Sequence, residues 1–394
     1  MLFLRERAKG LNIRHGPSLC GYRRADALDS KDAQEAAPAG HRQRHGRSLQ
    51  DPSRAPDHEM NGRVQIETVS SVMLKDNPLG DPRRREVPVY LPPSYGSKRG
   101  RRYPVLFYLP GFTGSGRGCV NYDPWKENVA ERLDRLISQG KAREAILVIP
   151  DCFTAFGGSQ YLNSTATGLY GDHVVCELVG FMEDKFAAVR GPEGRAVLGK
   201  SSGGFGALTL AMRHPEVFGH CAGHSGDAGF DACYGGDLLK LCAALEKYGR
   251  SVPRYLAEFR RSRDKAGFEH GAMNALAMAA CYSPNPKSPF GFDIPVDART
   301  GERIPAVWRR WEALDPVHAC VKYAAGLARL KTLWFDAGTR DEFFLHLGAR
   351  RLSDALKRLK VKHVYEEHDR GHFDLNARLD VSLALLTKRC ARVD

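Results

Sequence analysis

The sequence predicts a mostly parallel α/β sheet with helices on both faces and a cap-like insertion. Three observations carry this. Short, wholly apolar runs bounded by turn residues alternate with helical stretches from residue 103 onward. Two strand-like runs before residue 92, the first of alternating polar and apolar residues, make an antiparallel start. Between Gly226 and Pro316 the alternation stops for some ninety residues and then resumes.

In chain order, Arg63–Leu74 is a strand of alternating residues, Asn77–Pro82 a turn, and Arg85–Leu91 a second strand closed by Pro92-Pro93. Tyr103–Leu109 is a buried strand ending at Pro110-Gly111. Trp125–Gln139 is an amphipathic helix, and Ala145–Ile149 a further buried strand. Val174–Arg190 is helical and ends in Gly-Pro. Ala196–Leu198 is a strand, Ala207–His214 an apolar helix stopped by Pro215, and Gly219–Gly223 the next strand. Leu330–Phe335 and Val361–Glu367 are the last two strands, separated by the helix Phe343–Leu359. The insertion, about residues 227–316, contains two helical stretches and a Pro/Asn/Gly-rich segment, Tyr282–Gly301. An insertion of this size over the carboxyl ends of the strands forms a cap on a site there; the alternative is a peripheral subdomain.

Residues 1–59 differ in kind. They are rich in Arg, Asp, Gln, Ala, Pro and His, lack apolar periodicity after Ile13, and contain no long apolar signal-peptide core. The reading is a disordered or non-native extension, with the globular pattern beginning at Met60 and one α/β domain over 60–394. A chain of 394 residues with 42% hydrophobic and 27% charged residues has ordinary globular composition. The formal charge of +13 is spread out and not gathered into runs with interleaved aromatics, so no nucleic-acid motif stands behind it. No run approaches the length of a membrane span. The ten cysteines form no C-x-x-C and no metal spacing with histidine. They read as reduced thiols of a cytoplasmic protein. His220 and His224 fall on a strand and read as structural. Neither metal nor cofactor is expected.

The segment Gly194-Arg-Ala-Val-Leu-Gly-Lys-Ser-Ser-Gly-Gly-Phe-Gly206 matches two motifs that share Ser201. From Gly199 it is G-x-S-x-G, a nucleophile elbow. From Gly194 it is G-x-x-x-x-G-K-S, a phosphate-binding loop, with Asp336 as the acidic strand end. Arg195–Leu198 is apolar after its first residue and has no turn former, and no strand precedes Gly194. Both facts favour the elbow. Gly199 and Gly203 flank its tip, and Gly204 and Gly206 let the helix start close to the sheet.

A serine hydroxyl is a poor nucleophile at neutral pH and needs a base, and the base needs an acid to orient it. The chain order Ser, acid, His places the acid after a late strand and the His after the last. Asp341, in Asp336-Ala-Gly-Thr-Arg-Asp341, and His372, in Arg370-Gly-His372-Phe-Asp, fill those places. Asp336 and Glu342 are rivals for the acid. Two N–H donors are needed for the oxyanion: Ser202, after the nucleophile, and Phe112, in Pro110-Gly111-Phe112-Thr113-Gly114, are assigned.

These pieces, in order with Val89–Tyr95, Tyr103–Gly111 and Gly158–Ser164, resemble the esterase branch of the α/β-hydrolases over residues 63–390. That branch includes enterochelin esterases, S-formylglutathione hydrolases, feruloyl esterases and mycolyltransferases. The resemblance implies an α/β-hydrolase fold and hydrolysis of small carboxylic esters through an acyl-enzyme, with Ser201, His372 and Asp341 as the triad. Acyl transfer by the same residues is the runner-up. One departure is Pro110, where many relatives have His, which alters the acyl pocket and not the triad. Gly111, Tyr161, Asn163, Tyr170 and Asp227 are the candidate substrate-lining residues. The expected partner is a small-molecule ester, with no nucleic acid and no membrane, and homodimer formation is left open.

Overall fold

The computed structural model describes residues 60–97 and 99–392; the expectation for residues 1–59 lies outside them. Ten strands are present among the described residues: β1 (Arg63–Ser70), β2 (Arg84–Leu91), β3 (Val105–Leu109), β4 (Ile146–Val148), β5 (Asn163–Ser164), β6 (Gly168–Leu169), β7 (Arg195–Lys200), β8 (His220–His224), β9 (Thr332–Gly338) and β10 (Val364–His368). Eight of them form one sheet in the order β1-β2-β4-β3-β7-β8-β9-β10, while β5 and β6 make a small hairpin. The β1–β2 and β2–β4 pairs are antiparallel, and every later pair in the large sheet is parallel.

The period of two along each strand divides the core. Val105, Phe107 and Leu109 of β3 join Val197, Cys221, Leu333 and Phe335 on one face, under the helix Ser202–Arg213. Leu106 and Tyr108 join Ala196, Leu198, Ala222 and Trp334 on the other, under the helices Val129–Ser138 and Leu379–Arg389. Both faces are covered, which is why the central strands read as unbroken apolar runs.

Several boundaries differ from expectation, each for a local reason. β1 stops at Ser70 because Glu177 turns the chain, its carboxylate accepting the N–H groups of Val72 at 2.6 Å and Met73 at 3.0 Å. The helix expected from Trp125 begins at Val129. Asn128 caps it, accepting from Ala130 and Glu131 while Glu131 accepts back from Asn128. The helical run before the elbow spans Tyr170–Lys185 and ends where Ala187 and Val189 bond to Tyr103 instead.

The insertion holds more helix than the sequence indicated: Phe230–Cys233, Gly235–Glu246, Val252–Arg261, His270–Tyr282 and Pro305–Glu312. His270–Tyr282 is apolar nearly all round and buried, so it shows no amphipathic stripe. These helices enclose a second, aromatic core in which Phe230 stacks on Tyr282 at 5.0 Å and Trp311 stands edge-on to Tyr282 at 5.1 Å.

Candidate active site

The turn after β7 carries Ser201 at φ 58° and ψ −128°, a backbone conformation that L-residues adopt only when the surroundings impose it. Its N–H donates to the His224 carbonyl at 2.9 Å, and its carbonyl accepts from Phe205 at 2.9 Å. A Cβ on Gly203 would lie 1.9 Å from the Leu109 carbonyl oxygen, so β3 and the turn meet backbone to backbone. Thr113, Ser225 and Phe344, all beside the same cavity or its lining residues, also have positive φ. Strain of this kind gathers at functional sites.

Arg195–Lys200 is a central strand whose register runs along β3 on one side and β8 on the other. Its N–H groups are committed to the sheet, so no loop opens between Gly194 and Gly199. This overturns the phosphate-loop reading of the same residues.

Ser201 lies on a cavity of about 480 Å³ together with Pro110, Gly111, Phe112, Ser202, Asp227 and His372. His372 is buried, and its Nδ1 is 2.8 Å from Asp341 Oδ2. Asp341 is also buried; its Oδ1 accepts from the N–H groups of Phe343 at 2.9 Å and Leu345 at 3.4 Å. Burial pushes this carboxyl up, but the His372 imidazole and the Phe343 N–H outweigh it and hold it below the ordinary value. The Glu342 carboxylate accepts the His372 N–H at 2.6 Å and so fixes the loop bearing the imidazole.

Asp336, the rival acid, faces away from this cavity. Its Oδ1 is 2.9 Å from His224 Nδ1 and its Oδ2 accepts from Arg378 Nε at 2.7 Å.

The N–H groups of Phe112 and Ser202 have no acceptor among the described residues. Ser202 opens the helix Ser202–Arg213, where the first N–H groups have no intrahelical partner. The Phe112 loop is held by the Thr113 N–H donating to Gly157 at 2.9 Å, and by the Phe112 ring standing edge-on to His270 at 5.5 Å.

Of the five candidate substrate-lining residues, Gly111 and Asp227 border the cavity and three do not. Tyr161 is buried; its hydroxyl donates to the Pro110 carbonyl at 2.5 Å and its ring occupies the space that Gly206 leaves open. It therefore anchors the Phe112 loop from behind. Asn163 accepts the Asp172 N–H at 3.0 Å. Tyr170 is fully buried, and its hydroxyl accepts from Arg85 at 2.6 Å and donates to Asp81 at 3.1 Å. The last two brace the scaffold.

The cavity also contains residues that sequence reasoning did not single out. Phe343 and Phe373 lie two and one residues after Asp341 and His372, and Phe343 packs edge-on to His372 at 4.8 Å. Lys200, inside the elbow motif, faces the cavity. Burial lowers its pKa, although Asp341, Asp374 and Glu342 draw it up. Tyr234, His270 and Asn274 come from the insertion, where no local pattern marked them. The insertion thus supplies part of the wall.

Among the described residues no group of three or more His, Cys, Asp or Glu could hold a metal ion, and no helix is long and apolar enough to cross a membrane.

A profile of the family described as "Putative esterase" matches residues 81–376. Among solved structures, a ferulic acid esterase is similar at 19% identity and TM-score 0.54, over 84% of this chain and 99% of that one. An S-formylglutathione hydrolase from Agrobacterium tumefaciens is similar at 18% identity and TM-score 0.51, over 84% and 97%. FphF, a fluorophosphonate-binding serine hydrolase of Staphylococcus aureus, is similar at 13% identity and TM-score 0.53, over 83% and 98%. The uncharacterized protein YbbA of Bacillus subtilis is 23% identical over 160 residues, 36% of this chain. The match spans 56% of that relative's length. At these identities the structures establish the shared α/β-hydrolase fold.

Proposed function

The chain belongs to the esterase family, and on that premise we propose that it is a serine carboxylesterase acting on small esters through Ser201, His372 and Asp341. The observation that carries this reading is the convergence of four features on one cavity: a strained serine, a buried His–Asp pair at 2.8 Å and two unengaged backbone N–H groups.

The chemistry follows from those positions. Asp341 accepts the Nδ1–H of His372, which leaves Nε2 as the basic nitrogen. Nε2 takes the Ser201 proton as the hydroxyl oxygen attacks the ester carbonyl carbon. The carbonyl oxygen gains the negative charge and is met by the N–H groups of Phe112 and Ser202, each such donor being worth about 3 kcal/mol in the transition state. The tetrahedral intermediate collapses with loss of the alcohol, which leaves with the proton from Nε2. Water then repeats the sequence on the acyl-serine and releases the acid. The cap role of the insertion is supported by the wall that Asp227, Tyr234 and His270 supply. A reducing, cytoplasmic location is supported by buried cysteines such as Cys152, Cys221 and Cys281 that form no disulfide.

The test is hydrolysis of p-nitrophenyl butyrate by the wild type and by Ser201→Ala, with matched folding by circular dichroism. Turnover is expected in the wild type and none above background in the variant. Equal turnover in both would overturn the reading.

A further inference from the structure

One carboxyl in the cavity has no part in the reaction just described. Asp227 follows the Ser225-Gly226 turn at the end of β8, is 6% exposed, and borders the cavity that Ser201 borders. Its two oxygens are unequal. Oδ2 accepts from the Tyr234 hydroxyl at 2.8 Å, the Gln160 amide at 3.0 Å and the Ser202 hydroxyl at 3.4 Å. Oδ1 has no hydrogen-bond partner among the described residues. Nor is it sealed off, unlike the amide oxygen of Gln160, which is buried without a partner.

The carboxyl is also rigidly framed. Tyr234 and Tyr282 share a hydrogen bond at 3.0 Å, the Gln160 amide reaches Tyr282 at 2.7 Å, and Phe230 stacks on Tyr282. Burial raises its pKa, while Tyr234, Gln160 and the His372 imidazole draw it back.

A carboxylate oxygen facing a largely apolar cavity is costly to leave unpaired. A ligand that lacks a donor there displaces water and gives nothing in return. A site built to bond a substrate hydroxyl therefore rejects the analogue without it. Hydroxyl and ammonium are the two common donors. Lys200 already places a cation on this cavity, which disfavours a second one. We propose that Asp227 is a specificity-determining residue whose Oδ1 accepts a hydrogen bond from a hydroxyl on the substrate, so that the enzyme selects hydroxyl-bearing esters over their unsubstituted or ether counterparts. The proposal rests on the esterase reading and deepens it.

The experiment compares kcat/KM for two matched pairs. In the acyl arm the pair is p-nitrophenyl 3-hydroxybutyrate and 3-methoxybutyrate. In the alcohol arm it is 2-hydroxyethyl and 2-methoxyethyl butyrate. The wild type is expected to favour the hydroxyl member in one arm by roughly 10- to 100-fold; that arm tells whether the hydroxyl belongs to the acid or to the alcohol. Asp227→Asn keeps an oxygen for Tyr234 and Gln160 and turns an amide NH₂ toward the cavity. It should bring the ratio below one, an inversion that lost packing alone would not produce. Tyr234→Phe keeps the carboxylate and the ring packing but removes one donor to Oδ2, and should move the ratio at least threefold without inverting it. If Asp227→Asn does not fold, an unchanged ratio in Tyr234→Phe overturns the proposal. No preference in either arm, or a preference that survives Asp227→Asn, also overturns it, while turnover of p-nitrophenyl butyrate leaves the esterase standing. Turnover of no ester overturns both.

Discussion

Asp336 and Asp341 sit five residues apart at the end of β9, and their replacement by asparagine should separate stability from activity. Asp336 is wholly buried, with His224 on one oxygen at 2.9 Å and Arg378 on the other at 2.7 Å. Breaking a buried ion pair by neutralising one partner costs about 3–5 kcal/mol. At about 2.1 cal/mol/K per residue, a folded region of roughly 330 residues has an unfolding entropy near 0.7 kcal/mol/K, so the expected fall in Tm is about 4–7 °C. The sign of the pH dependence is fixed by the direction of the shift. His224, His368 and Arg378 overcome the effect of burial and hold the folded carboxyl well below its ordinary range. Its contribution is therefore complete above the unfolded value of about 3.9, and disappears as pH falls through the folded value. The gap between wild type and Asp336→Asn should be full at about pH 5 and shrink below about pH 4. Asp341→Asn is the converse case. The side-chain oxygen that accepts from Phe343 and Leu345 survives, so Tm should change by no more than about 1–2 °C. The amide facing Nδ1 would hold His372 in the wrong tautomer, which lowers kcat by about 10⁴-fold, or about 5.5 kcal/mol of barrier. Differential scanning fluorimetry across pH and turnover of p-nitrophenyl butyrate read the two axes. An Asp336→Asn enzyme with unchanged Tm and no turnover, beside an Asp341→Asn enzyme within tenfold of wild type, would refute the assignment.

Three further outcomes are expected. Ser201→Gly removes the side chain from a φ of 58° and should abolish turnover while raising stability by about 1 kcal/mol, read as urea midpoint at constant m-value. Gly203→Ala forces a methyl to within 1.9 Å of the Leu109 carbonyl; a loss of more than about 3 kcal/mol, seen as insolubility or a collapsed Tm, is expected, and normal stability would contradict the backbone contact. Tyr161→Phe unties the Pro110 carbonyl behind the Phe112 loop and should lower kcat about tenfold with KM little changed, since the hydroxyl does not reach the cavity.

The sheet was legible because its strands are buried on both faces, so that runs such as Val105–Leu109 and Ala196–Leu198 stand out without any partner being known. The pairing of Asp341 with His372 was legible because their positions follow from strand order, which local pattern reveals. The wall of the cavity was not. Tyr234 joins two helices of an aromatic core, His270 and Asn274 lie on a helix of it with no amphipathic stripe, and their approach to Ser201 is a tertiary fact. Tyr161 and Tyr170 were misjudged for a related reason: a tyrosine near a cleft in sequence reads the same whether its hydroxyl meets solvent or, as here, a buried carbonyl and an arginine. Asn128 is the opposite case, since Asn-Val-Ala-Glu is a capping box that locates the helix start, and Trp125 lies outside it, 91% exposed.

Ser382, His224 and Asp336 form a second Ser–His–Asp arrangement, with Ser382 Oγ 2.8 Å from His224 Nε2 and Asp336 Oδ1 2.9 Å from His224 Nδ1. Both of its links lie within hydrogen-bond distance. Yet Ser382 is completely buried within the helix Leu379–Arg389, where no ester could approach it, and Arg378 already neutralises Asp336. A hydroxyl–imidazole–carboxylate chain is therefore not sufficient for hydrolysis. The chemistry also requires an accessible nucleophile and free N–H donors where the oxyanion would form. What the sealed chain does follows from its backbone. The His224 carbonyl accepts the Ser201 N–H, the Asp336 carbonyl accepts the Ser225 N–H, and the side chains tie β8 and β9 to the C-terminal helix. The strain at Ser201 needs a support that does not yield, and a buried, charge-balanced triad directly behind the elbow supplies it.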